Sequence, residues 1–288
     1  MEKPQIGVMA EVMGEAMPYI KKYKGETIVV KYGGSAMTDP TLKAAVMSDL
    51  ILLSLVGVRV VLVHGGGPEI TRQMERLGME SRFVNGLRVT DAATMEVVQQ
   101  MLAGKVNKDL VALLGGQGMG LCGIDGGTIL CHKIPADPDI GYVGEIDHVN
   151  TTLLHFALDS GFIPVLATIG ADQAGVPYNI NADTAACEVA VALGACKLVN
   201  MTDVAGLLRN KEDENTLIAE ADIDELDEMI AAGLVGEGMI PKVLGCRSCV
   251  QRGVKEAAII DGRVPHSILL EIFSDTGSGT LFYHKERS

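Results

Sequence analysis

The stretch Val63-His64-Gly65-Gly66-Gly67-Pro68-Glu69-Ile70 sets three consecutive glycines between an apolar run and a proline. In regular structure each glycine costs about 0.5–1 kcal/mol against alanine, so some gain must offset them. The order strand, glycines, proline, helix crowds backbone N–H groups at a helix N-terminus, where a ligand oxygen can approach them closely. That is an anion cradle. The alternative is a plain tight turn, for which one glycine would suffice. Gly33-Gly34 repeats the design just after Lys31. Two glycine loops at the carboxyl ends of two strands point at one crevice. Lys31 can place its ammonium between them; the alternative is a strand-edge lysine. A crevice rich in N–H donors, with a lysine, suits phosphoryl transfer, where charge builds on the phosphoryl oxygens and the protein mainly positions and neutralises.

Other stretches offer weaker chemistry. Gly118-Met119-Gly120-Leu121-Cys122-Gly123 matches G-x-G-x-x-G, but it follows a helix and leads into a strand. A dinucleotide loop needs the reverse order, so this stretch reads as a turn. The phosphate-loop pattern ending in Gly-Lys-Ser/Thr is absent, because Gly104-Lys105 is followed by Val106. Cys246 and Cys249 form C-R-S-C without a second pair or nearby histidines, and read as two small apolar residues on one helix face. The six cysteines as a whole read as reduced thiols, and the chain as cytoplasmic.

The positioning elements follow from periodicity. Val8 to Lys24 has near-helical apolar spacing. Thr27 to Lys31 is a β-branched strand, and Asp39-Pro40 starts a helix running to about Val56. Arg59 to Val63 is the second strand, with Pro68 opening the next helix. Ser81 to Thr90 has Asn85-Gly86 at its centre, a hairpin signal. A long helix is expected from Asp91 to Leu114, then strands near Leu121–Ile124, Thr128–Lys133 and Ile163–Ala167. Further on, helices are expected over Asp183–Leu193, capped by Asp183, over Asp222–Ala232 and over Ile240–Arg252. Strands are expected over Lys197–Met201, Ala257–Ile260 and Ile268–Phe273. This alternation predicts an α/β fold: a three-layer αβα sandwich around a mainly parallel open sheet, with an N-terminal extension helix. Two lobes sharing one sheet are expected, with a boundary between Asp172 and Tyr178.

Composition bounds the partners. The 288 residues are 48% hydrophobic but only 4% aromatic, so the core must be aliphatic and methionine-rich. The formal net charge of −13 argues against nucleic acid and anionic membranes as partners. An anionic substrate would need a local positive pocket. Ala44 to Val63, the most apolar region, is broken by Asp49 and Arg59 and reads as helix then strand, not as a membrane span.

Six motifs occur in order: K-Y-G-G-S-A-M (Lys31–Met37), V-H-G-G-G-P-E-I, N-G-L-R-V-T-D (Asn85–Asp91), N-I-N-A-D-T-A-A (Asn179–Ala186), T-D-V-A-G-L-L (Thr202–Leu208) and G-M-I-P-K-V (Gly238–Val243). Together they resemble the amino acid kinase family, and within it the acetylglutamate kinases, over essentially the whole chain. The resemblance implies ATP-dependent phosphorylation of the γ-carboxylate of N-acetyl-L-glutamate to N-acetylglutamyl 5-phosphate, the second step of arginine biosynthesis. It implies that Lys31 and Lys242 flank the migrating phosphoryl group and that Asp183 orients both. Gly34, Gly66 and Gly67 would donate N–H bonds to phosphoryl and substrate oxygens. Arg88, on a hairpin covering the amino acid, would hold its α-carboxylate bidentately; the alternative is a solvated hairpin arginine. Asn179 would bind the amino-acid end. Gly33 and Gly34, with Asp203, Val204, Gly206, Leu208, Leu234 and Gly236, would contact the nucleotide. A γ-carboxylate, with a pKa of about 4.3, is already ionised at pH 7, so no catalytic base is expected, and His64 reads as support for its loop. Magnesium keeps its hydration and is expected on the ATP phosphates, with no protein metal site. The resemblance assigns 25–175 to the amino-acid lobe and 176–288 to the nucleotide lobe. Its closest rivals are a carrier-linked aminoadipate kinase and a non-catalytic amino-acid sensor on the same fold.

Residues 1–24, with M-P-Y-I-K-K (Met17–Lys22) and H-S-I-L-L-E-I-F-S-D-T-G-S-G-T (His266–Thr280), resemble the arginine-inhibited branch. There the extension swaps between dimers to build a hexamer, a trimer of dimers. The implied L-arginine site uses Tyr19, Lys197, Glu271 and the backbone from Gly277 to Gly279, although Gly277-Ser278-Gly279 departs from a tighter family pattern. A nitrogen-signalling protein is a further implied partner. The alternative for the extension is an amphipathic helix docked on its own subunit.

Overall fold

The computed structural model describes residues 14–210 and 213–285. The helix expected before the first strand is present as α1 over residues 14–23; Val8 to Met13 lie outside the described residues. Next come β1 (Thr27–Tyr32), α2 (Pro40–Leu55), β2 (Arg59–His64), α3 (Gly67–Arg76), the hairpin β3 (Phe83–Val84) and β4 (Leu87–Arg88), α4 (Ala92–Gln99), α5 (Asn107–Leu113) and β5 (Gly118–Cys122). The middle supplies β6 (Ile129–Lys133), β7 (Gly144–Val149), α6 (Thr152–Asp159), β8 (Ile163–Ala167), β9 (Ile169–Ala171) and β10 (Pro177–Asn179). The last third supplies α7 (Ala182–Ala192), β11 (Lys197–Thr202), β12 (Glu220–Asp222), α8 (Leu226–Ala231), α9 (Ile240–Gln251), β13 (Glu256–Asp261), α10 (Ser267–Phe273) and β14 (Gly279–Tyr283).

Eight strands make one sheet in the order β12-β14-β13-β11-β1-β2-β8-β5. Every neighbouring pair is parallel except β13 and β14. Alternate residues of the same strands enter opposite cores. Val29, Val61 and Val63 pack with Val189 of α7 and Val243 and Cys246 of α9. Ile28, Val30, Val60 and Leu62 pack with Met47, Leu50 and Leu53 of α2. Burial on both faces explains the unbroken β-branched runs, and the result is the expected three-layer α/β sandwich. A smaller sheet, β10-β9-β6-β7, adjoins it.

The chain leaves β1 for β2 on one side and later returns to place β11 on the other. Ligands gather at such a switch point, beyond the strands' carboxyl ends. Lys31 and His64 lie at those ends. The Asp39 carboxylate caps α2, accepting from the Thr41 and Leu42 N–H groups at 2.7 and 3.0 Å, with Pro40 in the first turn.

Several expectations are corrected. Ile268–Phe273 is not a strand but lies in α10: Ile268 and Ile272 are buried while Leu270 is 49% exposed. A short apolar run cannot reveal its period. Gly118–Cys122 is not a turn but the edge strand β5, paired in parallel with β8. Its glycines allow close packing: a Cβ on Gly118 would lie 3.0 Å from the Leu114 Cβ. Asp183 does not cap α7. Asn181 does, its Oδ1 accepting from the Asp183 and Thr184 N–H groups, which leaves the Asp183 carboxylate available for other partners. The segment from Asp222 begins as a strand, and α8 starts only at Leu226. The long helix after Asp91 is continuous but passes through a π-helical segment, Gln100–Val106.

Candidate active site

The two glycine loops and the Asn85-Gly86 hairpin enclose a cavity of about 260 Å³. Its walls bring together Lys31, Gly33, Gly34, Gly66, Gly67, Arg88, Asn179 and Asp183. The glycine positions have separate local reasons. Gly34 has φ +77°, and a Cβ there would lie 2.5 Å from the Asp203 Oδ1. A Cβ on Gly66 would lie 2.7 Å from the Leu102 Cδ2, in the π-helical segment behind the loop. In front of Gly67 an added Cβ would meet nothing within 4 Å.

Two lysines share the Asp183 carboxylate, which lines the cavity. The Lys31 ammonium lies 2.9 Å from Asp183 Oδ1. The Lys242 ammonium, from the first turn of α9, donates to Asp183 Oδ2 at 2.7 Å. Burial pushes the Asp183 carboxyl up, but Lys31 and then Lys242 outweigh it and hold it at about 2. The two lysines carry one more positive charge than the Asp183 carboxylate cancels; Lys31 and Asp183 line the cavity, and Lys242 reaches Asp183 from outside its walls.

Arg88 lines the same cavity from the hairpin and is only 6% exposed. Its guanidinium donates to the Gly67 carbonyl at 3.0 Å, Thr71 Oγ1 at 2.8 Å and Ser81 Oγ at 2.6 Å, and lies 4.7 Å from the Phe83 ring centroid. Burial alone draws its pKa below the ordinary arginine value. Among the described residues no carboxylate pairs with it. A buried cation held by neutral acceptors is costly, and an incoming carboxylate would offset that cost. Asn179 sits beside it, donating to Thr90 Oγ1 at 3.3 Å. Arg88 is therefore not the solvated hairpin arginine of the alternative reading. Sequence reasoning missed Thr71, Ser81 and Thr90, because short hydroxyl side chains carry no spacing signal.

Of the residues expected at the nucleotide, Gly33 and Gly34 line this cavity, while Asp203, Val204, Gly206, Leu208, Leu234 and Gly236 lie outside its walls. Asp203 abuts Gly34, as above. Gly206 has φ +139° and backs onto Thr280 and Leu217, and Leu208 bridges Leu217. The Leu234 N–H donates to the Met229 carbonyl, and the Gly236 carbonyl accepts from the Met239 N–H.

A second cavity, about 500 Å³, gathers Tyr19, Lys197, Glu271 and Gly279. Lys197 is 2.7 Å from Glu271 and 3.3 Å from Glu256. Burial works against its charge, but Glu271, Tyr23 and Glu256 prevail and raise its pKa. Tyr19 donates to Asp275, and Lys22 and Tyr23 reach Glu256. Among the described residues Glu220, Glu256, Glu271 and Asp275 line this cavity with Lys22 and Lys197 as the basic groups, so it favours a cationic group. Glu256 and Asp275 were not anticipated; acidic residues are too frequent in this chain to stand out.

Residues 26–261 match the model of the amino acid kinase family. The chain belongs to that family, and its layered α/β fold is the one that family shares. It is a kinase, and kinases of this family draw on ATP. It is 55% identical over 276 residues to the acetylglutamate kinase of Actinobacillus pleuropneumoniae serotype 7, covering 96% of this chain and 97% of the relative. It is 51% identical over 281 residues to the chloroplastic acetylglutamate kinase of Arabidopsis thaliana, covering 96% and 81%. Among solved structures, N-acetylglutamate synthase from Neisseria gonorrhoeae superposes with a TM-score of 0.85 at 28% identity in its complex with coenzyme A and N-acetyl-glutamate. That match covers 96% of this chain and 64% of the synthase chain. The synthase complexed with coenzyme A and L-arginine gives 0.84 at 27%, covering 96% and 65%. Among the described residues no helix is long and apolar enough to cross a membrane.

Proposed function

We propose that this kinase phosphorylates the γ-carboxylate of N-acetyl-L-glutamate with ATP, as the acetylglutamate kinases it resembles are named for doing. The observation that carries the reading is the pairing of two sites in one cavity. Arg88 is a buried cation without a carboxylate partner among the described residues, and Lys31 lines the same cavity together with Asp183, which also binds Lys242. Arg88 and Asn179 hold the α-carboxylate end. The ionised γ-carboxylate attacks the terminal phosphorus of ATP. Lys31 and Lys242 neutralise the phosphoryl oxygens as charge shifts toward ADP, and the N–H groups of Gly34, Gly66 and Gly67 complete the cradle. Asp183, engaged by both lysines, fixes where their charge lies. Magnesium arrives as part of the Mg-ATP substrate and reduces the charge on its phosphates. Residues 25–175 serve the amino acid and residues 176–288 the nucleotide. A cytoplasmic location goes with this reading.

The test traps the product. With Mg-ATP and N-acetyl-L-glutamate, hydroxylamine should convert the acyl phosphate into a coloured hydroxamate. Glutamate, aspartate and aminoadipate should give none. No hydroxamate from N-acetylglutamate, with a folded enzyme that binds ATP, would sink the assignment.

The same proposal places L-arginine in the second cavity. The support is its surplus of carboxylates for a guanidinium, with Lys197 for an α-carboxylate. A Glu271→Gln enzyme should need at least about tenfold more L-arginine for half-inhibition, measured against its own uninhibited rate, by loss of a charge-assisted pair. Unchanged sensitivity would remove Glu271 from the site. Assembly of dimers into a hexamer through the N-terminal extension belongs to this reading and is checked by sedimentation: the full chain should run as a hexamer and one lacking residues 1–13 as a dimer, and equal sedimentation of the two would remove those residues from the assembly.

A further inference from the structure

His64 is fully buried at the end of β2, directly before the triple glycine, and the mechanism above gives it no proton to move. Its surroundings settle which ring nitrogen carries hydrogen. Asn107, on α5 and 1% exposed, turns its Nδ2 toward three atoms: the Val165 carbonyl at 2.8 Å, the Leu121 carbonyl at 3.2 Å and His64 Nε2 at 3.1 Å. Carbonyls only accept, so the atom facing them is the NH₂ group. The other end agrees, since the Lys108 ammonium donates to Asn107 Oδ1 at 3.0 Å. An amide NH₂ has no lone pair to offer, so His64 Nε2 cannot donate to it, and in this neutral ring the hydrogen sits on Nδ1. Nδ1 lies 2.9 Å from the Gly65 carbonyl oxygen and donates to it. Burial also draws the imidazole pKa down to about 4, which keeps the ring neutral.

The Gly65 carbonyl and the Gly66 N–H belong to one planar trans peptide and point in opposite directions. Tying that oxygen to a buried imidazole turns the N–H away from the imidazole, and the loop that carries it lines the cavity. The Gly66 N–H donates to no carbonyl among the described residues. Glycine on both sides makes this peptide easy to rotate, so an external tether decides its orientation. We infer that His64 is a positioning residue for the reaction: its Nδ1–H, fixed by Asn107, aims the Gly66 N–H at the phosphoryl or substrate oxygen. The inference rests on the proposed role of the Gly66 N–H.

Two substitutions separate this from simple packing. The amide nitrogen of Asn overlays Nδ1 of His, and that of Gln overlays Nε2. His64→Asn keeps a donor for the Gly65 carbonyl and should keep kcat within about threefold. His64→Gln, closer to histidine in size, loses that donor. Its kcat should fall at least about tenfold, part of what losing one oxyanion donor costs, with KM for both substrates changing less. A glutamine enzyme as active as the asparagine one, or more so, overturns the inference. Should either variant fail to fold, the wild-type enzyme still decides through its imidazole ¹⁵N signals. An Nδ1–H tautomer unchanged from pH 6 to 9 supports the tether, and an Nε2–H tautomer or a titration in that range overturns it. Wild type that forms no hydroxamate would instead sink the proposed function, while the tautomer would still report on the tether.

Discussion

A Lys242→Ala enzyme should fold normally and turn over about 10²- to 10³-fold more slowly, the range found when one preorganised donor to developing charge is removed. The Lys242 ammonium donates to the Asp183 carboxylate at 2.7 Å from the first turn of α9. A cation there opposes the helix dipole, so the position is unfavourable for α9 itself and removing the charge should cost the fold little. Lys31 would keep its contact with Asp183, so the carboxylate is not orphaned. The loss should appear in kcat, with KM for N-acetylglutamate and ATP changing by no more than a few-fold. The urea midpoint should match wild type. Wild-type kcat in the variant would remove Lys242 from the reaction, and a large fall in the urea midpoint would assign it to the fold. Because Asp183 is held at about 2, its stabilising ion pairs are present above the unfolded carboxyl pKa, about 3.9, and are lost only as pH falls through 2. An acid limb of kcat at pH 5 to 6 must come from another group.

The second large effect is at Arg88. Arg88→Ala should raise KM for N-acetylglutamate by about two orders of magnitude. Truncating one partner of a buried charge pair costs roughly 2–5 kcal/mol, and the lower half of that range already gives the factor. KM for ATP should stay near wild type, because Arg88 lies on the hairpin side of the cavity. Arg88→Lys should recover little. Three separate donor contacts, to Gly67, Thr71 and Ser81, hold the guanidinium, and a single ammonium cannot keep them while pairing with a carboxylate. Steady-state kinetics with each substrate varied in turn make the check. Equal rises in both KM values would mean that the hairpin had lost its place, and no rise would mean that Arg88 does not hold the acid.

The local order of the chain was legible where chemistry and geometry act over a few residues. The glycine loops, proline-led helices, β-branched strands and Asn85-Gly86 hairpin each have a cause within a handful of positions, and each is present. So is the layered α/β architecture, because buried parallel strands must be apolar on both faces. Short segments were less legible. Ile268–Phe273 carries an apolar run compatible with two periods, and only packing against the α2 side of the sheet makes it a helix. Gly118–Cys122 looks like a turn until β8 pairs with it.

What tertiary structure alone decided is which side chains lack an alternative partner. The sequence, through its resemblance, already paired Asp183 with both Lys31 and Lys242, but it did not show that Asn181 would cap α7 and free that carboxylate, nor that Arg88 would be buried among neutral acceptors. It supplied His64 and Asn107, but not the contact between them, which spans 43 positions and fixes a tautomer. Local spacing sets backbone conformation through sterics and hydrogen bonds within a few residues. Charge balance, hydrogen-bond satisfaction and the direction of a single N–H depend on which distant strands and helices share a low-dielectric interior, and only the folded chain specifies that.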